Sequence, residues 1–259
     1  MNSANTMSLK KKMIIALCAI VGVIAIVVTS VFTTIAYLSA SSSVSNVFTV
    51  GGVEILMDET AVESNGVAIP GAPRRDMNSY HLVPGATYIK DPIIHVQPNS
   101  EKSYLFITVK NDIAPLAAGG DTTIVKQLQK NGWAEFTKVQ AGTVYVYVGA
   151  AKAAELAKAD TVNGIAVLPS NAVAGDVLFT EYADTVTHYP LFQSFSIRSD
   201  VTTADIKPYG AAKITINAFA IQDVGLTTVA LAWEAIVANY GSYLNLAPVT
   251  PSGTPDVQG

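Results

Sequence analysis

Along most of the chain, apolar and polar side chains recur with a period of two. Thr143, Tyr145 and Tyr147 alternate with Val144, Val146 and Val148, and Tyr104, Phe106 and Thr108 alternate with Leu105, Ile107 and Val109. This period places the two sets on opposite faces of an extended strand. Further runs at 46–56, 92–97, 176–182, 191–198 and 213–221, with a short piece at 134–139, bring the expectation to about nine strands, bounded by Gly, Pro, Asn or Asp. Strands spaced this way, without regular helices between them, predict an all-β antiparallel β-sandwich rather than βαβ units.

The turn residues support the strand boundaries. Pro84-Gly85 pairs a fixed φ with a residue that accepts positive φ, which suits a type II turn closing the irregular stretch 59–83. Pro92 holds Asp91 extended and belongs at the start or edge of the next strand. A few short peripheral helices interrupt the period. Asp121 is the expected cap of a helix over 122–130, with Ile124, Val125 and Leu128 on one face and Asn131-Gly132 as its stop. Residues 150–159 are Ala/Lys/Glu-rich and read as an exposed helix. Thr228 can cap 229–240, where Val229, Trp233, Ile236, Val237 and Tyr240 form one stripe that should pack on the sandwich. Residues 245–259 hold three prolines and no periodicity, and are expected to be a flexible C-terminal tail.

The front of the chain has another texture. Residues 13–32 form an apolar run behind Lys10, Lys11 and Lys12, followed by small and hydroxyl residues, the layout of an export signal spanning 1–36. Ala36 offers a small residue for cleavage before Tyr37, and Ala40 is a second candidate. An uncleaved signal anchor competes with this reading, because about 20 apolar residues also span a bilayer. Cys18 lies mid-run behind Leu17 and reads as a small hydrophobe of the signal.

Composition changes the picture once that segment is set aside. The whole chain holds 16 Lys+Arg against 20 Asp+Glu in 259 residues, and only 14% of it is charged. Residues 1–36 contain three of the basic residues and no acidic one, so the body carries 13 against 20, a balance of −7. No basic cluster remains to neutralise phosphates, which excludes nucleic acid as the expected partner. The one cysteine falls in the apolar run, so the body has no thiol for a disulfide frame, a CxxC metal site or a cysteine nucleophile.

Candidate chemistry is sparse. His81, His95 and His188 lack partners at metal-ligand spacing, and neither HExxH nor GxSxG occurs. Each histidine reads as an isolated polar residue, and a zinc site would have to be assembled in three dimensions. Asp58 and Glu59 are adjacent and point to opposite faces of a strand, a poor acid/base pair. Asn111, Asp112 and Asp121 near Gly119-Gly120 have the oxygen ligands of a calcium loop, though turn chemistry and capping explain them equally. Tyr104, Tyr145 and Tyr147 offer a sugar-stacking platform if exposed, with packing the favoured reading. No catalytic residue, metal or cofactor is expected.

The most suggestive segment follows Ala36. Residues 37–48 are Ser-rich and uncharged, with Tyr37, Leu38, Val44, Val47 and Phe48 as their apolar members. An extendable strand of this kind can add to a sheet edge, either in its own subunit or in another copy.

The lysine-led apolar segment, AYLSASSSVSNVFTVGGVEILMDE (36–59), LVPGATYIKDPIIHVQPNSEKSYLFITV (82–109), NGWAEF (131–136), and ITINAFAIQ with ALAWEAI (214–236) together resemble the TasA/camelysin family of exported Gram-positive proteins. The signal with its following NxFTVG segment and the LVPGxTYxKDP block are the most specific parts. The resemblance implies a jelly-roll-like sandwich over 51–244, maturation by a SipW-type signal peptidase between Ala36 and Tyr37, and secretion to the extracellular matrix or cell surface. It further implies biofilm-matrix fibres, in which an N-terminal donor strand within 37–50, carrying Tyr37, Leu38, Val44, Val47 and Phe48, completes the sheet of the next subunit head to tail. An accessory matrix anchor protein is a further partner the resemblance allows. Some members of that family are described as metallopeptidases, but no zinc-ligand motif here carries that activity over. A monomeric surface sandwich binding glycan or protein is the other alternative.

Overall fold

The computed structural model describes residues 39–43, 46–48 and 52–244. These residues form eleven strands: β1 (Ser39–Ser43), β2 (Asn46–Phe48), β3 (Ile55–Asp58), β4 (Thr87–Ile89), β5 (Ile93–Val96), β6 (Ser103–Asn111), β7 (Trp133–Val139), β8 (Gly142–Tyr147), β9 (Thr187–Pro190), β10 (Ser194–Ser196) and β11 (Ile214–Gln222). Four α-helices accompany them among the described residues: α1 (Ile124–Lys130), α2 (Ala150–Ala159), α3 (Thr203–Ile206) and α4 (Val229–Leu244). A six-stranded sheet has the order β2-β1-β11-β6-β8-β7, a three-stranded sheet the order β3-β5-β9, and β10 pairs with β4. Every pairing between these strands is antiparallel, so each paired edge carries hydrogen bonds perpendicular to the strands.

The alternation in β6 decides how the layers stack. Leu105, Ile107 and Val109 join Ile216, Ala218 and Ala220 of β11 in one core, shared with Ile55 and Met57 of β3 and Ile94 and Val96 of β5. Tyr104 and Phe106 point the other way, into a second core with Phe219, Ile221, Val144 and Val146. The stripe expected near the C-terminus covers that second face. Val229, Trp233, Ile236 and Tyr240 of α4 are buried in it, and the Trp233 ring lies 5.5 Å from Phe106 and 5.8 Å from Phe219. The central sheet is therefore apolar on both sides. One polar pair interrupts it: Asn217 donates from Nδ2 to Thr108 Oγ1 at 2.8 Å, satisfying two buried groups on paired strands.

Several expectations hold in detail. Gly85 has φ +73° and Ala86 N–H bonds to Val83 O at 3.2 Å, closing the expected turn. The helix over 150–159 is α2, and Thr228 caps α4 by accepting from Leu231 N–H at 3.2 Å. Others differ. The cap of α1 is Thr123, whose extended backbone and hydroxyl meet Lys126 N–H, while Asp121 sits in a 3-10 turn at Gly120–Thr122. The run at 176–182 forms no strand of its own: Thr180 makes a single bridge to Ser103, and Phe179 contributes its ring to Tyr104 at 4.6 Å. The run at 191–198 shortens to β10, because Leu191 and Phe192 turn into the core ahead of it. The run at 46–56 divides into β2 and β3, which lie in different sheets.

Candidate functional site

Strand β11 reads ITINAFAIQ, nine residues without a charge. One of its edges is held by β6 along its whole length, from Ile214↔Asn111 to Gln222↔Ser103. Its other edge receives β1, paired from Ser39↔Ile221 to Ser43↔Asn217, and so only along five positions. β2 then pairs antiparallel with β1, Ser41↔Phe48 to Ser43↔Asn46, so the segment makes two short strands rather than one long one. Val47 and Phe48 lie in β2. Ala36, Tyr37, Leu38 and Val44, as well as the tail 245–259, lie outside the described residues.

This side of the sheet, where β1 and β2 lie beyond β11, differs from the other side, which ends in β7. There, β7 carries a bulge between Glu135 and Thr137, and Glu135 exchanges backbone bonds with Ala166 and Leu168 at 2.8 and 2.7 Å. Bulging and covering by the chain's own loop are standard ways to blunt an edge. β11 has no bulge in its pairing with β6 and no charged side chain, and Ile216 to Ile221 are buried on both faces. Without a partner strand its backbone groups and apolar neighbours would form a template for another chain.

The remaining candidates are dispersed. Tyr104 and Tyr145 are buried in the two opposite cores, and Tyr147 packs against Trp133 and Tyr189, so the three do not make an exposed sugar platform. Burial pushes the Tyr145 phenol up, with the Glu135 charge adding to it. Asn111 Oδ1 accepts from Ile113 N–H at 3.2 Å, and Asp112 faces Lys110 at 3.6 Å, the turn chemistry that competed with calcium. Among the described residues, no group of three or more His, Cys, Asp or Glu side chains is placed to hold a metal ion. No helix among them is long and apolar enough to cross a membrane.

A polar network that the sequence did not announce lies at the end of β3. Arg74 binds the carboxylates of Asp58 and Asp91, and its Nη2 also donates to the Asp91 carbonyl at 2.8 Å. Thr60 N–H and Oγ1 each donate to Asp91 at 2.7 Å. Partial burial pushes the Asp58 carboxyl up, but the hydrogen bonds from Arg74 and His95, with their charges, outweigh it and hold the group below the usual aspartate value. Beside it, Lys90 Nζ meets Glu59 Oε2 at 2.6 Å, both side chains nearly sealed from water, and Asn78 Nδ2 donates to the other Glu59 oxygen at 2.9 Å. Burial, with the Glu59 and Asp91 charges close by, raises the Tyr80 phenol well above its ordinary value. Asp58 and Glu59 do diverge, as their adjacency on a strand required. His95 reaches Asp58 on one side and His188 on the other, so two of the three histidines are partners after all. His81 is elsewhere, its carbonyl accepting from the Tyr88 hydroxyl at 2.9 Å.

No protein family, no curated protein and no solved structure matches the chain.

Proposed function

We propose that this chain is a secreted structural protein, a jelly-roll-like sandwich that polymerises into extracellular matrix fibres when the segment after the export signal completes the β11 edge of the next copy. The observation that carries this reading is the β11 edge itself: nine uncharged residues, buried on both faces, whose second partner is a short Ser-rich segment close behind the signal. Backbone pairing supplies affinity in such an addition, and it does not depend on the identity of the serines. The resemblance to the TasA/camelysin family points the same way, as do the acidic, charge-poor body and its lack of cysteine. Heterologous head-to-tail contacts that do not close generate filaments.

The test compares two forms of the protein. One beginning at Tyr37 is expected to form filaments visible by negative stain. One beginning at Gly51 is expected to form none and to bind an added peptide of residues 37–50 at one per chain. If neither form makes filaments across concentration and pH, and the peptide does not bind, the reading fails.

A further inference from the structure

We propose that His95 and His188 form a two-nitrogen site, open to solvent, for a divalent transition-metal ion of the copper and zinc class. The two residues are register partners on β5 and β9, and their Nδ1 atoms face each other at 2.7 Å with the rings at 86°. They sit on the side of the three-stranded sheet opposite Ile94 and Val96, which belong to the core. His188 is exposed and His95 partly so.

The tautomers follow from the outer partner. His95 Nε2 lies 3.0 Å from Asp58 Oδ1, and Asp58 is ion-paired with Arg74, so the carboxylate accepts and Nε2 carries the proton. In neutral His95 that leaves the Nδ1 lone pair directed at His188. The contact then closes through a proton on His188 Nδ1. A cation can take the place of that proton if His188 shifts its hydrogen to Nε2, which faces no fixed acceptor requirement at an exposed ring. Both Nδ1 lone pairs then converge on the ion, with no net proton change at the pair.

A carboxylate behind a ligating imidazole is the usual outer support of a metal-bound histidine, fixing ring orientation and raising basicity. Here that support is itself braced by Arg74, which also holds Asp91. Metal–nitrogen bonds of about 2.0–2.1 Å at square or tetrahedral geometry place the nitrogens about 2.8–3.4 Å apart, a small opening of the present contact. Imidazole nitrogen selects copper, nickel and zinc over magnesium and calcium. With two protein ligands, the remaining positions belong to water or to an incoming group, which describes an exchangeable ion and not a closed structural site.

The experiment titrates the full chain, held in detergent, with Cu2+ and separately with Zn2+, and reads copper by electron paramagnetic resonance. The expected result is one Cu2+ per chain with coupling to two nitrogens at this site. His188→Gln should weaken binding at least about tenfold and remove one nitrogen coupling, and Asp58→Asn should weaken it about 10–100-fold while both couplings persist. His81→Gln should change nothing. Circular dichroism and the unfolding midpoint check that each variant is folded; His188 is exposed, so its replacement is expected to leave both unchanged. Equal affinity in the wild type and His188→Gln, or a copper spectrum without the two-nitrogen coupling, would overturn the proposal.

Discussion

Lys90 and Glu59 face each other at 2.6 Å with side chains only 6% and 3% exposed, which makes this pair the most sensitive single contact of the polar network. Removing one partner leaves the other charged and buried, so Lys90→Ala should destabilise the fold by about 3–5 kcal/mol, measured by denaturant unfolding. Lys90→Met with Glu59→Leu should lose much less than the two single changes together, since no charge is then stranded. The pair could not be read from the sequence, because 31 positions separate the partners and each looks like an ordinary strand-end charge. The histidine pair was hidden for the same reason, across 93 positions. Asp160 is the opposite case, a local one. Its carboxylate accepts from the backbone N–H groups of Asn163, Ile165 and Val162, and these bonds hold it below the usual aspartate value. What it contributes to the turn after α2 is complete at neutral pH and is lost as pH falls below about 4 through the lower folded value. A pH titration of its carboxyl resonance should place its midpoint below that of a free aspartate.

At the scale of elements, α4 and the β7–β8 hairpin carry the sharpest expectations. Trp233 sits between Phe106 and Phe219 at 7% exposure, so Trp233→Ala should cost about 3–5 kcal/mol of stability. Gly142 has φ +123°, and a Cβ there would lie 2.3 Å from the Val109 carbonyl oxygen on the neighbouring strand. Backbone strain and overpacking then act together, and Gly142→Ala should lower stability by about 2–4 kcal/mol. The periodic elements were legible: β6, β8, β11 and α4 follow from alternation or a 3.6-residue stripe, because each buries a continuous face. The short ones were not. β4 and β9 have three and four residues and exist because of the strands they meet, β10 and β5. Residues 176–182 carry a strand-like pattern, yet Phe179 satisfies its burial against Tyr104 without a ladder. Apolar pattern reports burial, and burial does not always require pairing.

For the whole molecule, the six-stranded sheet ends in β2 on one side and β7 on the other, and the two sides are closed differently. The β7 side is bulged and covered by residues 166–168, while the β11 side depends on β1. Both faces of the sheet were readable from β6 alone, but which strand ends the sheet was not, since strand order depends on contacts far apart in sequence. Ser41→Pro, which removes a backbone donor from the middle of β1, should abolish the proposed filaments while leaving the unfolding midpoint of the 52–244 body nearly unchanged. If filaments persist at wild-type yield, β1 is not the joining strand. The five-position ladder between β1 and β11 has one more consequence. A segment tethered to its own edge competes with every other copy at an effective concentration on the order of millimolar. The ladder gained by exchange has the same hydrogen bonds as the ladder given up, so dilution favours the self-closed subunit. If the proposed exchange operates, polymer growth would have a threshold: a dilute subunit would stay closed, and crowding of chains in a small volume would start the exchange.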